Sequence, residues 1–335
     1  MKIDNFDILK KVFIIAEIGN NHEGSLNTAK ELIDLAHKCG ANAVKFQTIE
    51  PKLLVKSYEI DRIKMLERFY FSPEEYKELK NYCNKIGIIF LSTPFCIESI
   101  SWLNDLVPAF KIASGDITYF SLVKEIAKMG KPILLSTGMS NLKEIENAIS
   151  IINSFSTIKD PKERTCIMHC VSAYPTKQND ANLKCIKSLT KFNNIVGYSD
   201  HTLGIEASII AVSLGARVIE KHFTISKNFS NFRDHELSAD PNELRELVYS
   251  VRKAEDLLGT DEKTLFECEK NTYFAARRSF VTSRELKKGH IFKKDDLLAL
   301  RPLMGIPAEK INEIIGKSLN KNLKKGDSLS EEDLY

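Results

Sequence analysis

Between residues 12 and 223, eight short apolar runs punctuate the chain, most followed by stretches whose apolar residues return every three or four positions. The runs are VFIIAEI (12–18), AVKFQT (43–48), IIFLST (88–93), AFKIAS (109–114), PILLST (132–137), TCIMHCV (165–171), IVGYSD (195–200) and RVIEKHF (217–223). They are apolar at most positions rather than at alternate ones. That is the pattern of strands covered on both faces, as in a parallel sheet. The stretches between them carry helix grammar. TAKELIDLAHKCG (28–40) gathers Leu32, Ile33, Leu35 and Ala36 on one face and stops at Gly40. SPEEYKELKNYCNKIG (72–87) opens with Ser72 as N-cap, Pro73 in the first turn and two glutamates. DPNELRELVYSVRKAEDLLG (240–259) repeats that grammar with Asp240, Pro241 and a closing Gly259.

Eight strand–helix units over residues 1–260 are the arithmetic of a (β/α)8 TIM barrel, an α/β fold of about 250 residues. A doubly wound open sheet is the competitor. It often has a GxGxxG phosphate loop after its first strand, whereas here Gly19-Asn20-Asn21-His22-Glu23-Gly24 follows. After Gly259 the rhythm breaks. Residues 261–277 read as a polar linker with some helix. Residues 278–335 read as a small β-rich module with Lys-Lys-Gly turns at Gly289 and Gly326.

Composition narrows the function classes. Hydrophobic residues make up 43% and charged residues 28% of the 335 positions, an ordinary globular mix. Lysine and arginine exceed aspartate and glutamate by 48 to 45, a net +3, so charge gives no case for nucleic acid or a membrane surface as partner. No apolar run approaches the ~20 residues of a spanning helix. The acidic residues before the short apolar stretch Val12–Ala16 make a poor secretory signal. The seven cysteines, at 39, 83, 96, 166, 170, 185 and 268, form no CxxC and read as reduced core thiols of a cytoplasmic protein.

In such a barrel the chemistry sits at the carboxyl ends of the strands. The ends here supply Glu17, Lys45, Gln47, Ser92, Thr93, Lys111, Ser114, Ser136, Thr137, Ser172, Tyr174, Ser199, Asp200, His201, Glu220 and His222. Charges inside the apolar runs (Lys45, Lys111, Glu220, His222) carry the most information, because a buried charge is costly unless paired or used. Lys45 and Lys111 with Ser114, Ser136 and Ser199 suit a small anion such as phosphate or carboxylate. The competing reading is a structural ion pair for each lysine. His201 and His222 end adjacent strands, about 4.8 Å apart. They are either two ligands of an exchangeable divalent ion or two hydrogen-bonded histidines without metal. His169 alternates to the face opposite Cys166 and Cys170, so no His/Cys metal cluster is expected there.

Read together, AEIGNNHEGS (16–25), KFQ (45–47), LSTPF (91–95), FKIASGD (110–116), LSTGM (135–139), YPT (174–176), GYSDHT (197–202) and EKHFT (220–224) resemble the sialic acid synthase family. RPLMGI (301–306) and IIGKSL (314–319) resemble its antifreeze-like SAF domain. The resemblance spans the chain and implies a synthase that condenses phosphoenolpyruvate with a hexosamine-type sugar. It implies a divalent metal, commonly Mn2+ with Mg2+ or Co2+ as substitutes, and a domain-swapped homodimer. It places His201 and His222 as metal ligands and Glu17 as the active-site glutamate. Lys45, Gln47, Thr93, Lys111, Ser114, Ser136, Tyr174 and Ser199 become contacts to phosphoenolpyruvate or sugar, Asp234 the aspartate of the loop after the eighth strand, and Arg301 an arginine reaching the partner's site. Three positions depart from the family pattern: Asp116 for glutamate, Ser172 for asparagine, and Phe232-Arg233-Asp234 for Gly-Pro-Asp. All three fall on the sugar side, so they bear on which sugar is used. The alternatives are a sister synthase acting on an acidic or phosphorylated sugar, a metal-dependent hydrolase on the same barrel, and a non-catalytic sugar- or ice-binding protein. The charged tail and the absence of an HxH pair argue against the last two.

Overall fold

A computed structural model describes residues 1–192 and 194–335. It divides into two compact units, Met1–Gly259 and Thr260–Tyr335. In the first, every predicted run forms a strand: β1 (Phe13–Gly19), β2 (Ala43–Thr48), β3 (Ile89–Pro94), β4 (Phe110–Ile112), β5 (Ile133–Ser136), β6 (Thr165–Cys170), β7 (Ile195–Asp200) and β8 (Val218–His222). All pairings are parallel, in the order β3-β2-β1-β8-β7-β6-β5-β4. That is the cyclic order of a TIM barrel, with β3 and β4 as the two ends of the hydrogen-bonded ladder. β4 is shorter than its apolar run, and Ser114–Asp116 leaves it as a 3-10 turn.

Each strand is followed by a helix: α1 (Leu26–Lys38), α2 (Pro73–Ile86), α3 (Ile100–Asn104), α4 (Phe120–Lys128), α5 (Leu142–Phe155), α6 (Cys185–Leu189), α7 (Glu206–Ser213) and α8 (Pro241–Leu258). The start signals work as read. Ser72 and Asp240 each close a capping box with the glutamate three residues on, and Gly87 ends α2 in the left-handed conformation at φ 89°. The main core lies between helices and sheet, where Leu32, Ile33, Leu79, Ile126, Ile152 and Leu247 pack on the outward side chains of the strands.

One element has no signal in the strand–helix rhythm. Lys2–Ile3 and Phe6–Asp7 pair as a hairpin, and Met1, Ile3 and Ile8 join Phe13, Ile15, Ala43, Leu91, Leu134, Met168 and Val218 in a second apolar cluster. These strand residues point into the barrel at its amino-terminal end, and the hairpin closes that end.

The second unit opens with a helix at Lys270–Ala276. The antiparallel pair β9 (Ser279–Thr282) and β10 (Leu297–Leu300) follows. Phe280, Leu286, Phe292, Ile306, Ile314, Leu319 and Leu329 form its small core. Gly289 and Gly326 take φ values of 86° and 89° in the two Lys-Lys-Gly turns, conformations that a side chain disfavours. Of the cysteines expected in the core, five are buried, Cys185 is half-buried and Cys268 is exposed. Cys268 precedes the Lys270–Ala276 helix in a segment without an apolar stripe, so nothing covers it.

Candidate active site

The polar strand ends converge inside the carboxyl-terminal half of the barrel. Lys45 Nζ lies 2.8 Å from Glu17 Oε2 and donates to Thr93 Oγ1 at 2.8 Å. Gln47 Nε2 donates to Glu17 Oε1 at 3.0 Å, and Gln47 Oε1 accepts from Asn20 Nδ2 at 3.1 Å. Glu220 bridges the two lysines, 3.7 Å from Lys45 and 3.4 Å from Lys111, and accepts from Ser199 Oγ at 3.0 Å. Two cations and two carboxylates thus share one buried network, in which Lys45 and Lys111 are 3% and 4% exposed. The ion-pair reading of the lysines holds: both are paired with buried glutamates, at the end of the barrel where TIM-barrel enzymes place their active sites.

The two glutamates are driven apart. Burial works against the ionised form of Glu220, but Lys111 and Lys45 outweigh it and hold the carboxyl down at about 2. Burial raises Glu17 above the ordinary carboxylate range; Lys45 opposes this and Glu220 adds to it. Lys111 is lowered by burial, with Glu220 pulling the other way. One carboxyl stays charged while its neighbour is suited to carry a proton, the separation that acid–base chemistry needs.

A hydroxyl-lined wall stands beside this network. Ser114 Oγ accepts from the Gly138 amide at 3.0 Å. A Cβ at Gly138 would collide with the hydroxyls of Ser114 and Ser172, so glycine is required for that approach. Ser136 Oγ, Ser172 Oγ and Asp116 Oδ2 are buried with no hydrogen-bond partner, groups left free for a ligand. Burial raises Asp116 to about 6 against the pull of Lys111.

The histidines form the third part. The rings of His201 and His222 lie 5.4 Å apart, and Tyr174 packs on His201 at 4.2 Å and on His222 edge-on at 6.1 Å. His201 Nδ1 lies 2.8 Å from the Val171 carbonyl and 3.7 Å from Cys170 Sγ. A carbonyl only accepts, so Nδ1 carries the hydrogen; in the neutral ring Nε2 then keeps the lone pair, the arrangement of a metal-binding imidazole, although against burial Cys170 and the Val171 carbonyl raise the ring above its usual value. Burial, reinforced by His201 and Lys45, pushes His222 well below its usual value, and its Nδ1 is buried without a partner. A neutral, unpartnered imidazole is the ligand form. The pair fits a divalent ion whose remaining positions are filled by water or substrate oxygens. Among the described residues no group of three or more histidine, cysteine, aspartate and glutamate side chains surrounds a common point.

Arg233 donates to Asp234 at 3.2 Å and its guanidinium lies over the Tyr174 ring at 5.9 Å. Asp234 is raised by burial, with Arg233 opposing, and His201 is among the charges it feels. All of the sequence-derived candidates except Arg301 thus lie in the first unit, most of them joined by contacts around the strand ends. Arg301 lies in the second unit, exposed, before the cis peptide to Pro302. Two residues, Asn20 and Cys170, were not singled out for the site, and a third, Glu220, was marked as a charge inside an apolar run but given no role. Glu220 is the hub of the network. Asn20 holds Gln47 and keeps Oδ1 buried and unpaired; nothing in its loop sequence marks it. Cys170 touches His201, and alternation on β6 places it inward.

Paired lysines, separated carboxyls, free hydroxyls and two imidazoles thus gather at the carboxyl-terminal end of a parallel barrel, where TIM-barrel enzymes carry their active sites. The chain belongs to the NeuB family, whose sequence profile matches residues 32–263, and residues 277–334 match the SAF domain. It is 40% identical to the N,N'-diacetyllegionaminic acid synthase of Campylobacter jejuni over 338 residues, covering 96% of this chain and 100% of that one. It is 39% identical to a pseudaminic acid synthase of Campylobacter jejuni over 353 residues, covering 99% of each. Among solved structures, the N-acetylneuraminic acid synthetase of Leptospira borgpetersenii, crystallised with citrate, superposes with a TM-score of 0.73 at 36% identity, covering 78% of this chain and 90% of that one.

Proposed function

We propose that this chain is a nonulosonic acid synthase, a transferase-type enzyme that joins phosphoenolpyruvate to an open-chain amino sugar and releases phosphate. The observation that carries this reading is the buried Glu17–Lys45–Glu220–Lys111 network flanked by unpartnered serine hydroxyls and two imidazoles. Phosphoenolpyruvate is a small trianion. Lys45 and Lys111 supply its countercharges, and Ser114, Ser136 and Ser172 supply hydroxyl donors for its phosphate and carboxylate oxygens, while Ser199 lines the site with its hydroxyl given to Glu220. Held this way, its methylene carbon attacks the sugar aldehyde and a C–C bond forms. Glu17, whose burial favours the protonated form, delivers a proton to the new alkoxide. The former enol carbon, now oxocarbenium-like, takes up water, whose first proton restores Glu17; the tetrahedral species then breaks its C–O bond to phosphate, the second proton leaves with the phosphate, and a keto group remains. Glu220, held ionised, keeps both lysines charged throughout. His201 and His222 would hold a divalent ion, Mn2+ with Mg2+ or Co2+ as substitutes, which supplies Lewis acidity toward the sugar oxygen when bound.

The sugar we favour is a 2,4-diacetamido-6-deoxyhexose. One Campylobacter jejuni relative is named for a diacetylated product, N,N'-diacetyllegionaminic acid, and Asp116 and Ser172 shorten two side chains on the sugar side. Arg233 is already engaged by Asp234 and Tyr174, so it shapes the rim of the pocket rather than offering a free cation. The working form is a cytoplasmic, domain-swapped homodimer in which Arg301 of the SAF domain completes the partner's site. The experiment is phosphate release from phosphoenolpyruvate with N-acetylmannosamine, its 6-phosphate and a 2,4-diacetamido-6-deoxyhexose, before and after chelation. The expected result is at least about tenfold higher kcat/KM for the diacetamido sugar, loss of turnover on chelation and recovery with Mn2+. A higher value for N-acetylmannosamine overturns the choice of sugar, and full activity after rigorous metal removal overturns the role of the histidines.

A further inference from the structure

Behind the two histidines lies a second buried ion pair that the chemistry above does not use. β7 and β8 run in parallel register, with Glu220 opposite Ser199 and Lys221 opposite Asp200. Ser199 and Glu220 face the barrel interior and are bonded to each other. Alternation sends Asp200 and Lys221 to the helix side. There they are 1% and 2% exposed, with Lys221 Nζ 3.0 Å from Asp200 Oδ2. Every polar atom of the pair is satisfied. Asp200 Oδ1 accepts from the amide and hydroxyl of Thr202 at 2.8 and 2.7 Å, and Oδ2 accepts from Ser208 Oγ of α7 at 2.7 Å. Lys221 Nζ also donates to the Thr202 carbonyl at 2.7 Å.

Stability does not account for such a pair. Two charges taken out of water lose hydration that their mutual attraction scarcely repays, and apolar residues of equal volume commonly serve as well or better. What the pair does fix is position. His201 lies between Asp200 and Thr202, both held by the pair, and its carbonyl accepts from the Thr176 amide at 2.8 Å. His222 directly follows Lys221. One ion pair therefore pins the backbone beside each imidazole and ties both to α7.

We infer that Asp200 and Lys221 are positioning residues that set the mutual placement of His201 and His222, and with it their affinity for a divalent ion, without touching substrate. The inference rests on the reading that these histidines hold the metal. Its test is Mn2+ binding by the full chain, followed by electron paramagnetic resonance, alongside thermal unfolding and phosphoenolpyruvate binding without metal. The Asp200→Leu/Lys221→Met double variant unfolds at a lower midpoint, because the Thr202 and Ser208 groups lose their partners, and in its folded form keeps its phosphoenolpyruvate affinity but binds Mn2+ about 10–100-fold more weakly. Ser208→Ala, which keeps the pair and removes one anchor, shows a smaller loss in the same direction and decides the matter should the double variant fail to fold. Wild-type Mn2+ affinity in the folded variants overturns the positioning role, as does an equal loss of Mn2+ and phosphoenolpyruvate binding, which marks general damage. His222→Ala separates the two levels: if it leaves Mn2+ binding intact, the metal reading itself falls, and the inference falls with it.

Discussion

The two halves of the barrel interior are built from the same strands and differ completely. On β1, Phe13 and Ile15 point inward at the amino-terminal end and Glu17 two residues further on. On β2 the sequence is Ala43, Lys45, Gln47; on β3, Leu91, Thr93; on β8, Val218, Glu220, His222. The lower layer is apolar, fully buried and closed by the N-terminal hairpin. The upper layer holds two lysines, two glutamates and two histidines, with the Ser136 and Ser172 hydroxyls lacking partners. A step of two residues, about 7 Å along a strand, separates groups that hold the barrel closed from the charged groups of the candidate site. The lower layer gains stability from burial; the upper layer gives some of it up to keep charges and free hydroxyls in place.

Substitutions that cross this boundary test it. The largest effect on stability belongs to the lower layer. Phe13 is fully buried and packs on Phe6 of the hairpin at 5.1 Å. Phe13→Ala should cost about 3–5 kcal/mol in denaturant unfolding and leave the KM for phosphoenolpyruvate unchanged in the molecules that remain folded. A large change in KM at small cost in stability would mean that the layers are not separable.

A smaller effect should appear in the pH dependence of the upper layer. The folded pKa of Asp116, about 6, lies above its ordinary value of 3.8. Its protonated form therefore stabilises the fold. That contribution is full below the ordinary value and is lost as pH rises toward about 6. Asp116→Asn keeps the neutral form at every pH. Its stability relative to wild type should rise between pH 4 and pH 7, by less than about 1 kcal/mol after allowing for partial exposure. A difference independent of pH would remove Asp116 from the charged layer. The lower layer offers no such group, and Phe13→Ala should show a constant offset over the same range.

How much of this the sequence revealed follows from the same contrast. All eight strands were legible because strands covered on both faces are written as apolar runs, and α2 and α8 because their caps are local chemistry. The site residues were legible where a charge interrupts an apolar run, as at Lys45 and Lys111, or ends one, as at Glu17 and His222. Glu220 interrupts a run as well, but its role as the bridge between lysines depends on the register of three strands, which no local pattern encodes. Asn20 sits in a polar loop among polar neighbours. The hairpin at residues 2–7 is too short to show alternation and is held by the barrel it closes. Cys170 reads as a core thiol until β6 is placed beside His201.

The central claim is that the upper layer is a phosphoenolpyruvate-condensing site in which Glu17 handles a proton. Glu17→Gln tests it most directly, through the rate of phosphate release from phosphoenolpyruvate in the presence of the best sugar, with unfolding measured on the same preparation. Glutamine keeps the shape and neutral character that burial already favours at this position, so the unfolding midpoint should stay close to that of wild type. The account predicts that kcat falls by about 10²–10⁴-fold in this folded variant. A Glu17→Gln enzyme that is equally stable and releases phosphate at the wild-type rate would contradict it.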